Sequence, residues 1–460
     1  MRTRLPLMIL GLLVCWTEGA RAQLPDEVWT IARHNDGNIL LVSSTDQTPD
    51  RLPDAIPPSS LPNFLPSPMA PNVRPNPMPS TSDGPPQGNY DPSHLYLPEY
   101  VPPSPRRAPC PCEPLGRLWI HGSIFYGTIN NEDAPSLIAA GGDAIVGNPD
   151  VMPLAAEDRN AGFFRSGFIF EGGYWLNKCQ TIAIEGRLVL LESNKAPFEF
   201  VSNGSPTLGR SYTNSLTGRA ETELIAAPGL YSGRASLLSE SGVIGGEANL
   251  RENLMCTKAW RMDSIIGYRY LRLSEAIELN SIRTSLSELT GEPVGTQTAI
   301  HDRFATQNDF HGGQFGLSGE YRFGNFYFDA SGKIAFGVVR ERLEIDGNRI
   351  ESGPNGIPLV SVGGLLTQPS NIGYMTDTRF AVVPEAGFSL GYQMGPHCRT
   401  FIGYTFLYMS NVGRPGHAID TMLNPTVPTG TVVGSVHPLR RDSRDDFWMQ
   451  GINLGLECRY

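Results

Sequence analysis

The end of the chain constrains its fold most. In residues 446–460, Trp448, Ile452, Leu454, Leu456, Cys458 and Tyr460 share one parity, broken only by Gln450. Gly451, Asn453, Gly455, Glu457 and Arg459 share the other. Successive side chains of a strand point to opposite faces, so this segment reads as a strand with one apolar and one polar face. The pattern recurs upstream. Phe326, Phe328, Ala330, Ile334, Phe336 and Val338 oppose Tyr327, Asp329, Ser331, Lys333 and Glu341. Phe380 to Tyr392 oppose Glu385 to Gln393, Trp260 to Tyr270 oppose Arg261 to Arg269, and Ile182 to Leu190 oppose Glu185 and Arg187. Ten strands are expected, near 118–127, 164–176, 181–192, 234–251, 259–274, 310–323, 326–342, 378–394, 399–410 and 446–460. The segment 234–251 needs a slip or bulge near Gly245 to stay in phase.

A soluble sandwich also alternates, but it turns its apolar face to a core. Here the second face carries Glu, Arg, Asp and Lys in mid-strand. In a membrane barrel the apolar face meets lipid and the polar face lines the lumen. The connections also alternate. Those at 177–180, 252–258, 324–325 and 395–398 are short, whereas 128–163, 193–233, 275–309, 343–377 and 411–445 are long. Short periplasmic turns and long outer loops are the habit of such barrels, and an even strand count puts both chain ends on the short-turn side. Tyr174, Trp175, Trp260, Phe323, Phe326, Tyr392, Tyr408, Trp448 and Tyr460 fall near strand ends, where interfacial girdles lie. The expected class is all-β, a transmembrane antiparallel up-and-down β-barrel of about ten strands, with twelve as the alternative.

The amino end differs. Met1 to Arg4 is basic, Leu5 to Trp16 is apolar, and Ala20-Arg21-Ala22 is a small-residue cleavage site. Residues 1–22 therefore read as a signal peptide cleaved after Ala22, too short in its apolar run to span a bilayer. Val14 before Cys15 does not suit a lipidation site. Residues 23–115 hold 22 of the 39 prolines, 20 of them from Pro53 to Pro114, and read as a disordered linker or tail. A short strand is expected within 27–42. The barrel is then residues 116–460. No basic arm or face suggests nucleic acid, and no later apolar run reaches 18 residues.

Several segments resemble the seventh numbered β-barrel porin family of planctomycete-type genomes. They are Arg165-Ser-Gly-Phe-Ile-Phe-Glu171-Gly-Gly-Tyr174-Trp175, Gly267-Tyr-Arg-Tyr270-Leu, His301-Asp-Arg-Phe304, Asn308 to Gly316 and Val383-Pro384-Glu385-Ala-Gly387. The most specific are Gly403 to Asp420 and the ending Phe447 to Glu457. The match runs from about 117 to 460. Met409, where the family leads one to expect Trp, and Gly413 depart from it. The resemblance implies an outer-membrane barrel and, by family title, porin activity. It brings no catalytic residues.

The mature chain holds Cys110, Cys112, Cys179, Cys256, Cys398 and Cys458, all expected at the periplasmic end. An even count in an exported chain points to disulfides. Cys110 and Cys112 are expected to reach different turns, and the pairing is left open. The predicted lumen face carries Glu171, Glu185, Arg187, Glu247, Arg251, Arg261, Asp263, Arg269, Glu320, Arg322, Asp329, Lys333, Glu385, Glu457 and Arg459. These residues either line a selective pore or interlock as ion pairs that fill a narrow barrel. Eight strands are just filled by side chains and channels open at about sixteen, so ten favours the filled barrel. Arg414, His417 and Asp420 begin an outer loop that either constricts the lumen or simply ends strand nine. Ser410 with His417 and Asp420 would suit a lipid-modifying enzyme, but no nucleophile motif surrounds them, and no enzyme and no cofactor or metal is expected. The expected role is a porin-like channel or structural barrel, with an adhesin or receptor built on a plugged barrel as the alternative. The expected partners are outer-membrane lipid, the insertion machinery through the last strand, and small solutes or cell wall.

Overall fold

The computed structural model describes residues 30–33, 39–42, 116–130, 134–154 and 164–460. The chain divides into a unit up to Tyr100 and a unit from Val101 onward. In the first, the short strands Thr30–Arg33 and Ile39–Val42 pair antiparallel. The expected signal peptide, most of the proline-rich stretch, Cys110 and Cys112 lie outside the described residues.

The second unit is built on ten long strands: β1 Leu118–Ile129, β2 Arg165–Trp175, β3 Ile182–Ser202, β4 Tyr231–Cys256 and β5 Trp260–Ser285, then β6 Gln297–Phe323, β7 Phe326–Ser352, β8 Gly373–Gln393, β9 Cys398–Gly413 and β10 Arg444–Arg459. Each pairs antiparallel with the next. β10 closes the ring on β1, from Trp119 opposite Arg459 to Ile129 opposite Met449. The closed ring leaves its ladder without a free edge, as a sheet in lipid requires.

The outward face explains where the membrane lies. On β5, Trp260, Met262, Ile266 and Tyr268 point out and are exposed. From Arg272 upward the same parity carries Arg272, Ser274, Glu278 and Asn280, while Leu271, Leu273, Ile277 and Leu279 turn inward and are buried. The chain keeps its alternation, but the chemistry of the two faces exchanges. The exchange occurs at His311 on β6 and between Val338 and Arg340 on β7. Below it the strand faces lipid; above it the outside is water and the inside is a core. The eleven residues from Trp260 to Tyr270, tilted as barrel strands are, span about 25 Å, the height of a lipid belt.

This exchange corrects the expected connections. β3, β5, β6 and β7 run far past their predicted upper ends and β4 and β8 a few residues past, so the outer loops are 130–164, 203–230, 286–296, 353–372 and 414–443. Nor does β4 slip at Gly245: it stays in register with β5 there. Its irregularities lie at Asn253/Met255 against β5 and at Ser241/Val243 against β3. The apparent loss of phase in the sequence is the exchange of chemistry, not of backbone.

Above the belt the loops fold into a cap. Ala139–Ala140, Met152–Pro153, Leu208–Asn214, Ala220–Ala226 and Met422–Leu423 form a small sheet of their own. Leu137, Ile138, Leu208, Ile225, Leu365, Leu366 and Ile419 from the loops pack on Leu237, Ile277, Leu279, Ile300, Phe304, Leu343 and Ile345 of the strands.

At the short-turn end Cys398 faces Cys458 across β9 and β10 in a disulfide, with Cα atoms 4.2 Å apart. Cys179 and Cys256 are also disulfide-bonded.

Candidate functional site in the barrel lumen

At the level of the belt, odd-numbered residues of β1–β5 and β7–β10, and even-numbered residues of β6, point inward. That parity brings the predicted lumen charges together in two tiers. The lower tier centres on Arg399, whose guanidinium lies 2.6 Å from Glu320 and 2.7 Å from Glu457, and 3.8 Å from Asp329. Arg459 pairs with Glu320 at 3.0 Å and also with Glu457, and Arg322 pairs with Glu320 at the mouth. Arg399 also stacks on Tyr327, 3.8 Å from the ring centroid. Across the lumen, Arg251 binds Glu185, reaches Asp263 at 3.3 Å and stands 3.7 Å from Glu171. Arg261 pairs with Asp263 at 3.0 Å and covers Trp175.

In the upper tier three cations share two carboxylates. Arg187 lies 2.8 Å from Glu247 and 2.7 Å from Glu385. Arg269 lies 2.6 Å from Glu247 and also binds Glu385. Lys333 reaches Glu247 at 2.8 Å and Glu385 at 3.5 Å. Gln314 donates to Glu247 at 2.8 Å and to Asn249 at 2.6 Å, and Asn249 donates to Glu185 at 3.1 Å. The side chains of all five charged residues are no more than 7% exposed. A cavity of about 200 Å³ runs past both tiers, lined also by Trp119, His121, Phe401 and Asn453, and has room for several waters.

Above the ion pairs the lumen turns apolar, which the sequence reading of a polar lumen does not contain. Phe125, Ile169, Val189, Leu191, Val243, Leu271, Phe310, Val339, Val383, Leu407, Met409, Phe447 and Met449 form one buried layer. Glycine makes room for the rings. A Cβ on Gly451 would sit 2.6 Å from the Phe125 ring, and one on Gly391 would sit 1.9 Å from the Tyr327 ring.

The outer loop enters the mouth above that layer. Arg414 is buried and lies 2.6 Å from Glu275 of β5, and the Gly413 amide and carbonyl bond the Asn308 side chain at 2.7 and 2.8 Å. His417 meets the Arg444 carbonyl at 3.1 Å. Asp420 pairs with His437 at 3.0 Å and accepts from the Leu439 amide at 2.7 Å. Ser410 accepts from the Val382 amide at 3.0 Å. The three enzyme-type residues thus have separate partners. Higher still, Asp302 accepts from the Leu365, Leu366 and Thr367 amides at 3.2, 2.9 and 2.8 Å and pairs with Arg210 at 2.6 Å. It ties two cap loops to β6. Burial alone would raise this carboxyl; Arg210, the Thr367 hydroxyl and the Thr367 amide more than offset that and hold it below its ordinary value.

A family model described as "Putative beta barrel porin-7 (BBP7)" matches residues 128–460. The chain belongs to this family. The BBP7 match covers the last nine strands and the final two residues of the first, and it fits an outer-membrane β-barrel. No curated protein matches the sequence. Among solved structures, the BBP7 chain is similar to the outer membrane protease OmpT from Escherichia coli, at 13% identity and a TM-score of 0.35, over 74% of this chain and 97% of that one. The OmpT outer membrane protein of Vibrio cholerae follows at 9% identity and 0.14, over 77% and 100%. The CymD monoaromatic hydrocarbon channel follows at 7% and 0.15, over 75% and 88%.

Sequence reasoning missed Arg399, the hub of the lower tier. Its inward row continues with Phe401, Gly403, Thr405 and Leu407, as apolar as the outward row of Ile402, Tyr404 and Phe406, so neither face of β9 stands out as polar. It also missed Glu275, Asp302 and Arg210, which sit in segments read as loops.

Proposed function

We propose that this protein is a closed, non-enzymatic outer-membrane barrel, a scaffold that holds a folded cap at the cell surface, and not a passive pore. The apolar layer from Phe125 to Met449 carries this reading. A conducting path needs water or polar lining along its whole length, and a dry constriction stops ions even where charges lie on either side. The paired tiers below and the packed cap above support the same conclusion. Liposome swelling tests it: vesicles carrying the refolded protein should swell in small sugars no faster than empty ones. Swelling at the rate given by an open porin would reject a closed barrel.

Surface recognition is the second reading. The strand Leu359–Val362, which pairs with the top of β7, is exposed at all four positions. Deleting 353–364 should then abolish attachment of expressing cells to their target while leaving the barrel folded; unchanged attachment rejects a role for this strand. Entry into the membrane through the β10 strand and contact of residues 23–115 with cell wall are further parts of the proposal.

A further inference from the structure

On the outer wall of β6 to β8 the lipid belt ends in a built step. Phe315, Phe336 and Phe380 lie side by side, with ring centroids 6.0 and 6.4 Å apart, all exposed. Gly313 and Gly332 share this face, and a Cβ on either would meet no atom within 4 Å, so shallow grooves run beside the rings. One step above Val338 and Phe380 stand Arg340 and Arg342, opposite Thr378 and Thr376 of β8. Both arginines are exposed, and neither has an ion pair or hydrogen bond among the described residues. The two acids beside them are already engaged, and the next on this row, Asp346, stands four residues above Arg342. Asp309 takes Arg272 at 2.6 Å and the Tyr270 hydroxyl at 2.7 Å, and Glu344 takes Arg303 at 3.0 Å and the Tyr374 hydroxyl at 2.8 Å. Elsewhere on the belt's upper edge the outward residues include Glu192, Glu240, Ser410 and Asp446, and the outward cations Lys195 and Arg272 are paired, with Glu240 at 3.5 Å and Asp309 at 2.6 Å. Unneutralised positive charge therefore stands at head-group height on one side of the barrel, directly above an aromatic platform.

We propose that this face binds a phosphate-bearing, multiply acylated lipid of the outer leaflet. Arg340 and Arg342 hold the phosphate, since guanidinium forks match its oxygens, and the Thr376 and Thr378 hydroxyls flank it. The acyl chains lie over Phe315, Phe336 and Phe380 and in the glycine grooves. A protein partner does not suit a platform set in hydrocarbon, and a free phosphate has no use for it. The site depends on membrane insertion and is independent of whether the lumen conducts.

The test uses the full mature chain in phosphatidylcholine nanodiscs, with lipid A as the probe and native mass spectrometry counting bound lipid. Wild type should retain lipid A. The R340Q/R342Q variant should bind it roughly 30-fold more weakly, as two surface cations imply. Phe336→Ala should weaken it separately. Circular dichroism and heat-shifted gel mobility confirm that both variants are folded. Retention of lipid A by R340Q/R342Q at wild-type strength would overturn the proposal. So would equal retention of fully dephosphorylated lipid A, or displacement of lipid A by inorganic phosphate at comparable concentration, which would mark an anion site only.

Discussion

Replacing Glu385 with alanine asks whether the lumen is dry. Arg187, Arg269 and Lys333 share Glu247 and Glu385, so the substitution leaves three buried cations on one carboxylate. Removing one member of a buried, hydrogen-bonded ion cluster costs about 3–5 kcal/mol, because the stranded charges cannot be rehydrated. In a water-filled pore the same ion pairs would be screened and solvated, and the loss would be about 0–1 kcal/mol. The two cases are far enough apart to measure. Equilibrium urea unfolding of the protein in lipid vesicles, followed by tryptophan fluorescence, gives the difference directly. A second variant, Glu385→Leu with Arg187→Met, removes a cation and an anion together and should recover much of the loss. A cost for Glu385→Ala below about 1 kcal/mol would refute a filled lumen.

Other outcomes follow from single contacts. Gly451→Ala drives a methyl into the Phe125 ring and against the Gly127 backbone and should destabilise the barrel by about 1–3 kcal/mol, relieved only in part by Phe125→Leu, as read by the same unfolding assay. Cys398→Ser with Cys458→Ser opens the β9–β10 edge and should cost roughly 2–4 kcal/mol under oxidising conditions but nothing once wild type is reduced. Asp302→Asn should free the loops 203–230 and 353–372, seen as faster proteolysis there with the strands intact. Because the folded state holds the Asp302 carboxyl below its ordinary value, its contribution is complete above about pH 4 and fades only as pH falls through that lowered value. Loop proteolysis in wild type should therefore stay flat across neutral and mildly acid pH and rise in strong acid.

Much of this fold is legible in the residues. The lower halves of the strands carry an uninterrupted alternation, Trp260 to Tyr270 against Arg261 to Arg269 being typical, and it places the barrel, its belt and its lumen charges. The upper halves escape because a reader follows the apolar face. When Leu271, Leu273, Ile277 and Leu279 appear on the parity that had held Arg261 and Asp263, the strand seems to stop, although only the medium outside it has changed from lipid to water. The cap escapes for a different reason. Its contacts join residues remote in sequence, such as Arg210 with Asp302 and Leu208 with Phe304, and nothing in the local pattern of either segment marks them as partners. The apolar layer shares both causes: Phe125, Val243, Phe310 and Phe447 each look like one more hydrophobic residue until the ring closes and sets them side by side.

Single-channel recording from the refolded mature protein in planar bilayers tests the closed lumen most directly. The account predicts insertion without long-lived conductance steps. Discrete, stable, ion-selective steps of uniform size would contradict it.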